Sequence, residues 1–127
     1  MTSGIGIDAI ETARIRESLE RTPGFEVRVF SPDESAYCRA ASGNLCFERF
    51  AARFAAKEAF LKATGDGLAN GWRLNEITVV HDINKKPELR LSGHSLEKFE
   101  KEIGGRILLS LTHLADRAEA FVLIDRP

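Results

Sequence analysis

Two carboxylates far apart in the chain, Asp8 and Glu58, have the residue type and setting to do metal-assisted phosphate chemistry. Asp8 closes the run Gly4-Ile5-Gly6-Ile7-Asp8, and Glu58 lies in a segment that also carries Arg53, Lys57 and Lys62. Magnesium takes few hard oxygen ligands, keeps several waters and completes its shell with substrate phosphates. One carboxylate from a strand end and one from a helix would suffice. Each residue also has a plainer reading. Asp8 suits a turn or a helix cap. Glu58 suits an i, i+4 ion pair with Lys62, worth about 0.2–0.5 kcal/mol. Arg53 and Lys57 suit a solvated helix face.

The elements that must position these groups follow from periodicity. Residues 47–64 read as the longest helix, stopped by Gly65, Asp66 and Gly67. At about 100° per residue, Ala51, Ala52, Ala55, Ala56, Ala59 and Ala63 share one smooth side. Phe50, Phe54 and Leu61 form a bulky stripe, and Glu58 falls between the two. A charge there borders packed surface, which is costly unless it is paired or binds a metal. Residues 4–8 read as a strand with Ile5 and Ile7 on one face. Its other face has almost no side chain before Asp8, so another element or a ligand can approach the backbone.

Thr12 caps a predicted helix over 12–21, in which Arg14 and Arg21 lie two turns apart on one side. Residues 25–30 alternate like a short strand. Ser31-Pro32-Asp33-Glu34 starts a helix reaching about residue 41. Residues 77–82 and 88–92 read as a hairpin around Asn84-Lys85-Lys86-Pro87. Ser95 caps a helix to residue 103, and strands 107–113 and 119–124 close the chain. The fold class is α+β, a mostly antiparallel sheet packed against a long helix.

With 127 residues and 43% hydrophobic content the chain suits one domain, and association with copies of itself would help its stability. The net charge of -1 gives no global field for nucleic acid or membrane, so any anion site is local. Cys38 and Cys46 lack metal-type spacing and read as reduced thiols. The opening residues show no signal peptide, and no apolar run spans a bilayer, so the expected location is cytoplasmic.

Several motifs, in order, resemble the holo-acyl-carrier-protein synthases. Gly4-Ile5-Gly6-Ile7-Asp8 with Arg14 resembles the family's opening motif. The stretch Arg53-Phe54-Ala55-Ala56-Lys57-Glu58-Ala59-Phe60-Leu61-Lys62-Ala63, with Gly65 and Gly67, resembles its central signature. Trp72, Lys86-Pro87, Leu89-Leu91-Gly93 and Ser110-Leu111-Thr112-His113 match in order. The likeness covers nearly the whole chain.

The resemblance implies a 4′-phosphopantetheinyl transferase-like fold and transfer of 4′-phosphopantetheine from coenzyme A to a serine of an acidic acyl carrier protein, releasing 3′,5′-ADP. It implies Mg2+ held by Asp8 and Glu58, with Lys62 on the pyrophosphate as a third catalytic group. It implies coenzyme A contacts from Arg53, Lys57, Lys62, Gly65, Lys86, Pro87 and His113, and carrier docking by Arg14 and Arg21. Family members assemble as homotrimers with sites between subunits, so His113 is expected to serve a neighbour's Asp8 and Glu58; the default pathway is fatty-acid synthesis. On residue type alone, His113 also fits a structural histidine, and Arg14 and Arg21 a solvated face.

Three departures stand out: Lys85 occupies a position where the family usually has glycine, Thr112 one where it often has serine, and the stretch between the Ser95 helix and the Ile107 strand is short. Two competing readings remain at this level. One is a non-catalytic module binding coenzyme A or a carrier, against which intact Asp8, Glu58 and Lys62 argue. The other is a small α+β thioesterase, for which no Ser-His-Asp or Cys-His arrangement is visible in the sequence.

Overall fold

Glycine at positions 4 and 6 lets the first strand lie directly on the long helix. A Cβ at Gly4 would sit 2.0 Å from the carbonyl oxygen of Ala63, and one at Gly6 would sit 2.0 Å from that of Ala59. The alanines at 51, 52, 55, 56 and 59 are buried in return. The expected bare face of the strand is therefore filled by a helix. The computed structural model describes the backbone of residues 1–127 and every side chain except that of Ala69.

The order is β1 (Thr2–Glu11), α1 (Thr12–Arg21), α2 (Phe25–Val29), α3 (Pro32–Arg39) and α4 (Asn44–Thr64). Two 3-10 turns, Leu68–Asn70 and Leu74–Glu76, lead to β2 (Ile77–His81), β3 (Pro87–Leu91), α5 (Gly93–Glu102), β4 (Arg106–His113) and β5 (Arg117–Asp125). β1, β5 and β4 form one antiparallel sheet in that order, and β2 and β3 form a separate hairpin. The α+β reading holds, with α4 packed along β1 and β5.

Helix α3 begins as the sequence predicts. Ser31 Oγ accepts from the Glu34 N–H, and Glu34 Oε1 accepts from the Ser31 N–H. The same Glu34 is fully buried and pairs with Lys57 of α4 at 2.6 Å, and its other oxygen accepts from the Val79 N–H at 2.9 Å. One carboxylate thus ties α3, α4 and β2 together.

Three local expectations change. Residues 25–30 form helix α2 rather than a strand. Gly24 turns the chain at φ +77°, and Phe25 and Phe30 then pack on Phe54 and Phe50 at 6.2 and 4.8 Å between ring centroids. Tertiary aromatic contacts outweigh the short alternation. Thr12 is the first residue of α1 rather than its cap; its N–H donates to the Asp116 carbonyl and its hydroxyl is buried without a partner. Ser95 lies inside α5, whose start is capped instead by the Glu76 carboxylate, accepting from the His94 and Ser95 N–H groups at 3.2 and 3.0 Å.

Lys85 adopts φ +62°, which explains a preference for glycine in this hairpin turn. Cys38 and Cys46 are buried and free, and burial pushes the Cys38 thiol up to about 12. Among the described residues no helix is long and apolar enough to cross a membrane.

Adding a methyl group at the strand–helix crossing should be costly, because backbone lies on both sides. Gly6→Ala should lower unfolding free energy by about 3 kcal/mol or more, read as a lower urea midpoint; an unchanged midpoint would show that β1 does not need this close approach.

Candidate active site

Side chains alternate along a strand, so Asp8 shares the α4-facing side of β1 with Gly4 and Gly6. Lys62, in the last turn of α4, donates to Asp8 Oδ1 at 3.0 Å and to the Ile7 carbonyl at 2.9 Å. Glu58 stands one helical turn before Lys62. Asp8 and Glu58 line one cleft of about 230 Å³ together with Arg14, Ile15, Ser18, Phe25 and Phe54. The structure therefore unites the two carboxylates that are fifty positions apart in the chain. Lys62 turns to Asp8 rather than forming the i, i+4 pair with Glu58.

The electrostatics of this cleft are strained in one direction. Burial pushes the Glu58 carboxyl above its ordinary range, the Asp8 charge pushes it further, and Lys62 partly offsets both. Asp8 and Glu58 are the carboxylates available to a hard divalent cation here. Among the described residues no group of three or more His, Cys, Asp and Glu side chains is placed to hold a metal. A cation bound here would draw its remaining ligands from water or substrate.

The other expected contacts are distributed around the chain. Arg14 lines the cleft, whereas Arg21 is exposed and pairs with Glu17 on its own helix at 3.7 Å. Gly65 ends α4 in the left-handed region at φ +79°. Lys86 and Pro87 line a different cleft, of about 340 Å³, with Arg106 and Leu108. His113 is on β4, which is separated from β1 by β5; Asp8 pairs with Ala120 and His113 with Ala118 of that strand. Within one chain, these residues do not form a single site.

Lys57 and Arg53 require correction. The Lys57 ammonium is fully buried and donates to Glu34, to the Leu74 carbonyl at 2.9 Å and to the Ile77 carbonyl. All three of its donors are used, so neither a phosphate role nor a solvated face describes it. Burial pulls its pKa down, opposed by the Glu34 charge. Arg53 is 4% exposed, with its guanidinium 4.4 Å from the Tyr37 ring and bonded to the Arg49 carbonyl. It faces α3 and Tyr37, away from Glu58, because five residues advance a helix by about 140° beyond a full turn.

The sequence reading did not assign Phe25, Phe54, Ile15 and Ser18 to the cleft. Phe54 was legible, since it precedes Glu58 by four residues. Phe25 was hidden by the strand assignment of its segment.

These features define an α+β enzyme with an acidic cleft, bordered by a lysine, at the meeting of a strand and a long helix. Residues 4–115 match the family model of the 4'-phosphopantetheinyl transferase superfamily, and the chain belongs to that family. It is 43% identical over 132 residues to the holo-[acyl-carrier-protein] synthase of Trichlorobacter lovleyi, covering 100% of both chains. Its fold is similar to that of the holo-(acyl-carrier-protein) synthase from Bacillus anthracis solved in complex with CoA (3',5'-ADP), with TM-score 0.82 and 32% identity over 100% of this chain and 99% of the other. The ACPS-CoA complex of Chronobacterium ammoniagenes is similar at TM-score 0.84 and 30% identity, covering 98% and 97% of the two chains.

Two predictions follow from the charges. Because the Glu58 pKa is raised on folding, the folded protein binds more protons than the unfolded chain between the two pKa values. Its contribution is therefore lost as pH rises through the folded value. Without added metal, Glu58→Gln should gain stability over wild type as pH rises from acid to neutral, by thermal denaturation; parallel curves would refute the shift. Lys57→Met should cost about 3–5 kcal/mol by leaving Glu34 buried and unpaired. A urea titration showing a wild-type midpoint would overturn that assignment.

Proposed function

We infer that the chain transfers 4′-phosphopantetheine from coenzyme A to a serine of acyl carrier protein and releases 3′,5′-ADP. The observation that carries this is the meeting of Asp8 and Glu58 in one cleft, with Lys62 bonded to Asp8, in a fold similar to coenzyme A-bound synthases.

The serine oxygen forms a bond to the phosphorus that bears pantetheine. The bond from that phosphorus to the bridging oxygen breaks, and 3′,5′-ADP leaves with the electron pair. The serine proton passes to Glu58 or to water in the cleft. Two carboxylates fit magnesium, which takes few protein ligands and keeps waters and phosphates. Lys62, bonded to Asp8, supports the fit because a cation is accommodated beside that carboxylate. Asp8 and Glu58 would hold magnesium, which when bound screens the pyrophosphate charge and makes phosphorus open to attack. Lys62, 55% exposed and bonded to Asp8, binds pyrophosphate oxygens and orients them.

Arg14 at the cleft, with Arg21 two turns along the same helix, docks the acidic carrier. Phe25 and Phe54 supply an apolar wall beside Glu58. Gly65 and the Lys86-Pro87 cleft contribute coenzyme A contacts, and His113 binds its phosphates.

The chain acts as one domain in a homotrimer. Ile5, Ile7 and Phe121 are 60, 64 and 41% exposed on the sheet face opposite α4, and Ile7 pairs in register with Phe121. Such an apolar patch favours association. Association also explains the distribution of His113, Lys86 and Pro87 away from Asp8 and Glu58: a neighbour brings one set to the other. The carrier served is that of fatty-acid synthesis, in the cytoplasm.

The test is to incubate the protein with apo carrier, coenzyme A and magnesium and to follow the carrier by mass spectrometry. A gain of one phosphopantetheine is expected. Glu58→Gln and Asp8→Asn should each slow transfer by about 10²–10³-fold while the protein stays folded. An unmodified carrier, or a Glu58→Gln rate near wild type, would overturn the assignment.

A further inference from the structure

Glu48, near the start of α4, lies outside the cleft of Asp8 and Glu58, yet it is bonded to a residue of the proposed coenzyme A site. Its Oε1 is 2.9 Å from Nδ1 of His113. A carboxylate only accepts, so Nδ1 carries the proton and donates. The second oxygen, Oε2, accepts from Asn44 Nδ2 at 2.8 Å. The same Asn44 amide donates to the Ala115 carbonyl at 3.0 Å, in the turn that follows His113. The Glu48 side chain is 16% exposed and the His113 ring 35%. Both carboxylate oxygens are thus engaged, and the helix start is linked to β4 and to the turn after it.

We propose that Glu48 is a positioning residue for His113, holding the ring through Nδ1 so that Nε2 is presented to a phosphate oxygen of coenzyme A. The proposal rests on the reading that His113 binds those phosphates. A neutral imidazole has one donor and one acceptor nitrogen, and the bond made by one nitrogen sets the state of the other. With Nδ1–H committed to Glu48, Nε2 is the nitrogen free to take a proton and donate to an anion. The carboxylate then balances the imidazolium charge from the side away from the ligand. Asn44 keeps the carboxylate from rotating out of line. An unheld ring would have to give up rotational freedom on binding, which weakens the contact.

The test combines a spectroscopic and a kinetic readout on the full-length protein. In 15N-resolved NMR spectra the His113 ring, assigned by its absence in His113→Ala, should show the Nδ1–H form in wild type. Glu48→Ala should lose that form. Glu48→Ala should also raise the KM for coenzyme A about tenfold with kcat within about twofold, the lower end of the loss that follows when the outer partner of a metal-ligating histidine is removed. Glu48→Gln, which keeps an acceptor oxygen but not the charge, should restore the ring form and part of the KM. If Glu48→Ala proves unfolded, Asn44→Ala frees the carboxylate without deleting it and should shift both readouts in the same direction.

A raised KM in His113→Ala with an unchanged KM in folded Glu48→Ala would overturn the positioning role alone. An unchanged KM in His113→Ala would overturn the phosphate role of His113 and, with it, this proposal.

Discussion

The close contact of β1 backbone with the alanine face of α4 is the constraint on which the site depends. Two glycines on the strand and a run of alanines on the helix remove the side chains that would otherwise hold them apart. Asp8, the first side chain of the strand's inner face after those glycines, then meets Lys62 directly and shares a cleft with Glu58. The acid–acid repulsion and burial at Glu58 follow from the same approach. Small residues here set the distance at which the two carboxylates and the lysine stand.

Two lysines on α4 show how position on one helix decides chemistry. Lys57 points into the interior, where Glu34 and two carbonyls saturate it. Lys62 lies five residues on, pairs with Asp8 at 3.0 Å and remains half exposed. The first is a cross-brace between α3, α4 and β2. The second donates to Asp8 and the Ile7 carbonyl and keeps one N–H for a ligand. Breaking the brace leaves a buried charge, whereas losing the exposed lysine alters the cleft without exposing the core.

Much of the architecture was legible in the sequence. The capping box at Ser31 and Glu34, the helix stop at Gly65 and the hairpin flanking Lys85 are local events with local causes. Phe25 to Phe30 was misread because alternation over six residues carries little weight against burial of Phe25 and Phe30 on α4. Glu76 as the cap of α5 was invisible, since the carboxylate comes from seventeen positions before Gly93, the first residue of that helix. Arg53 and Lys57 carried charge that suggested solvent, and only the packing of α3 and β2 shows them enclosed.

The sequence by itself determined the strand with a bare face, the helix with a smooth side, and the acids Asp8 and Glu58 that border them, because these depend on residue type and periodicity. The tertiary structure alone decided which charges meet. Asp8 with Lys62, Glu34 with Lys57 and Glu48 with His113 are pairs separated by 54, 23 and 65 positions. Ionic partnership is a matter of distance in space and of access to water, and neither is written in the order of the residues.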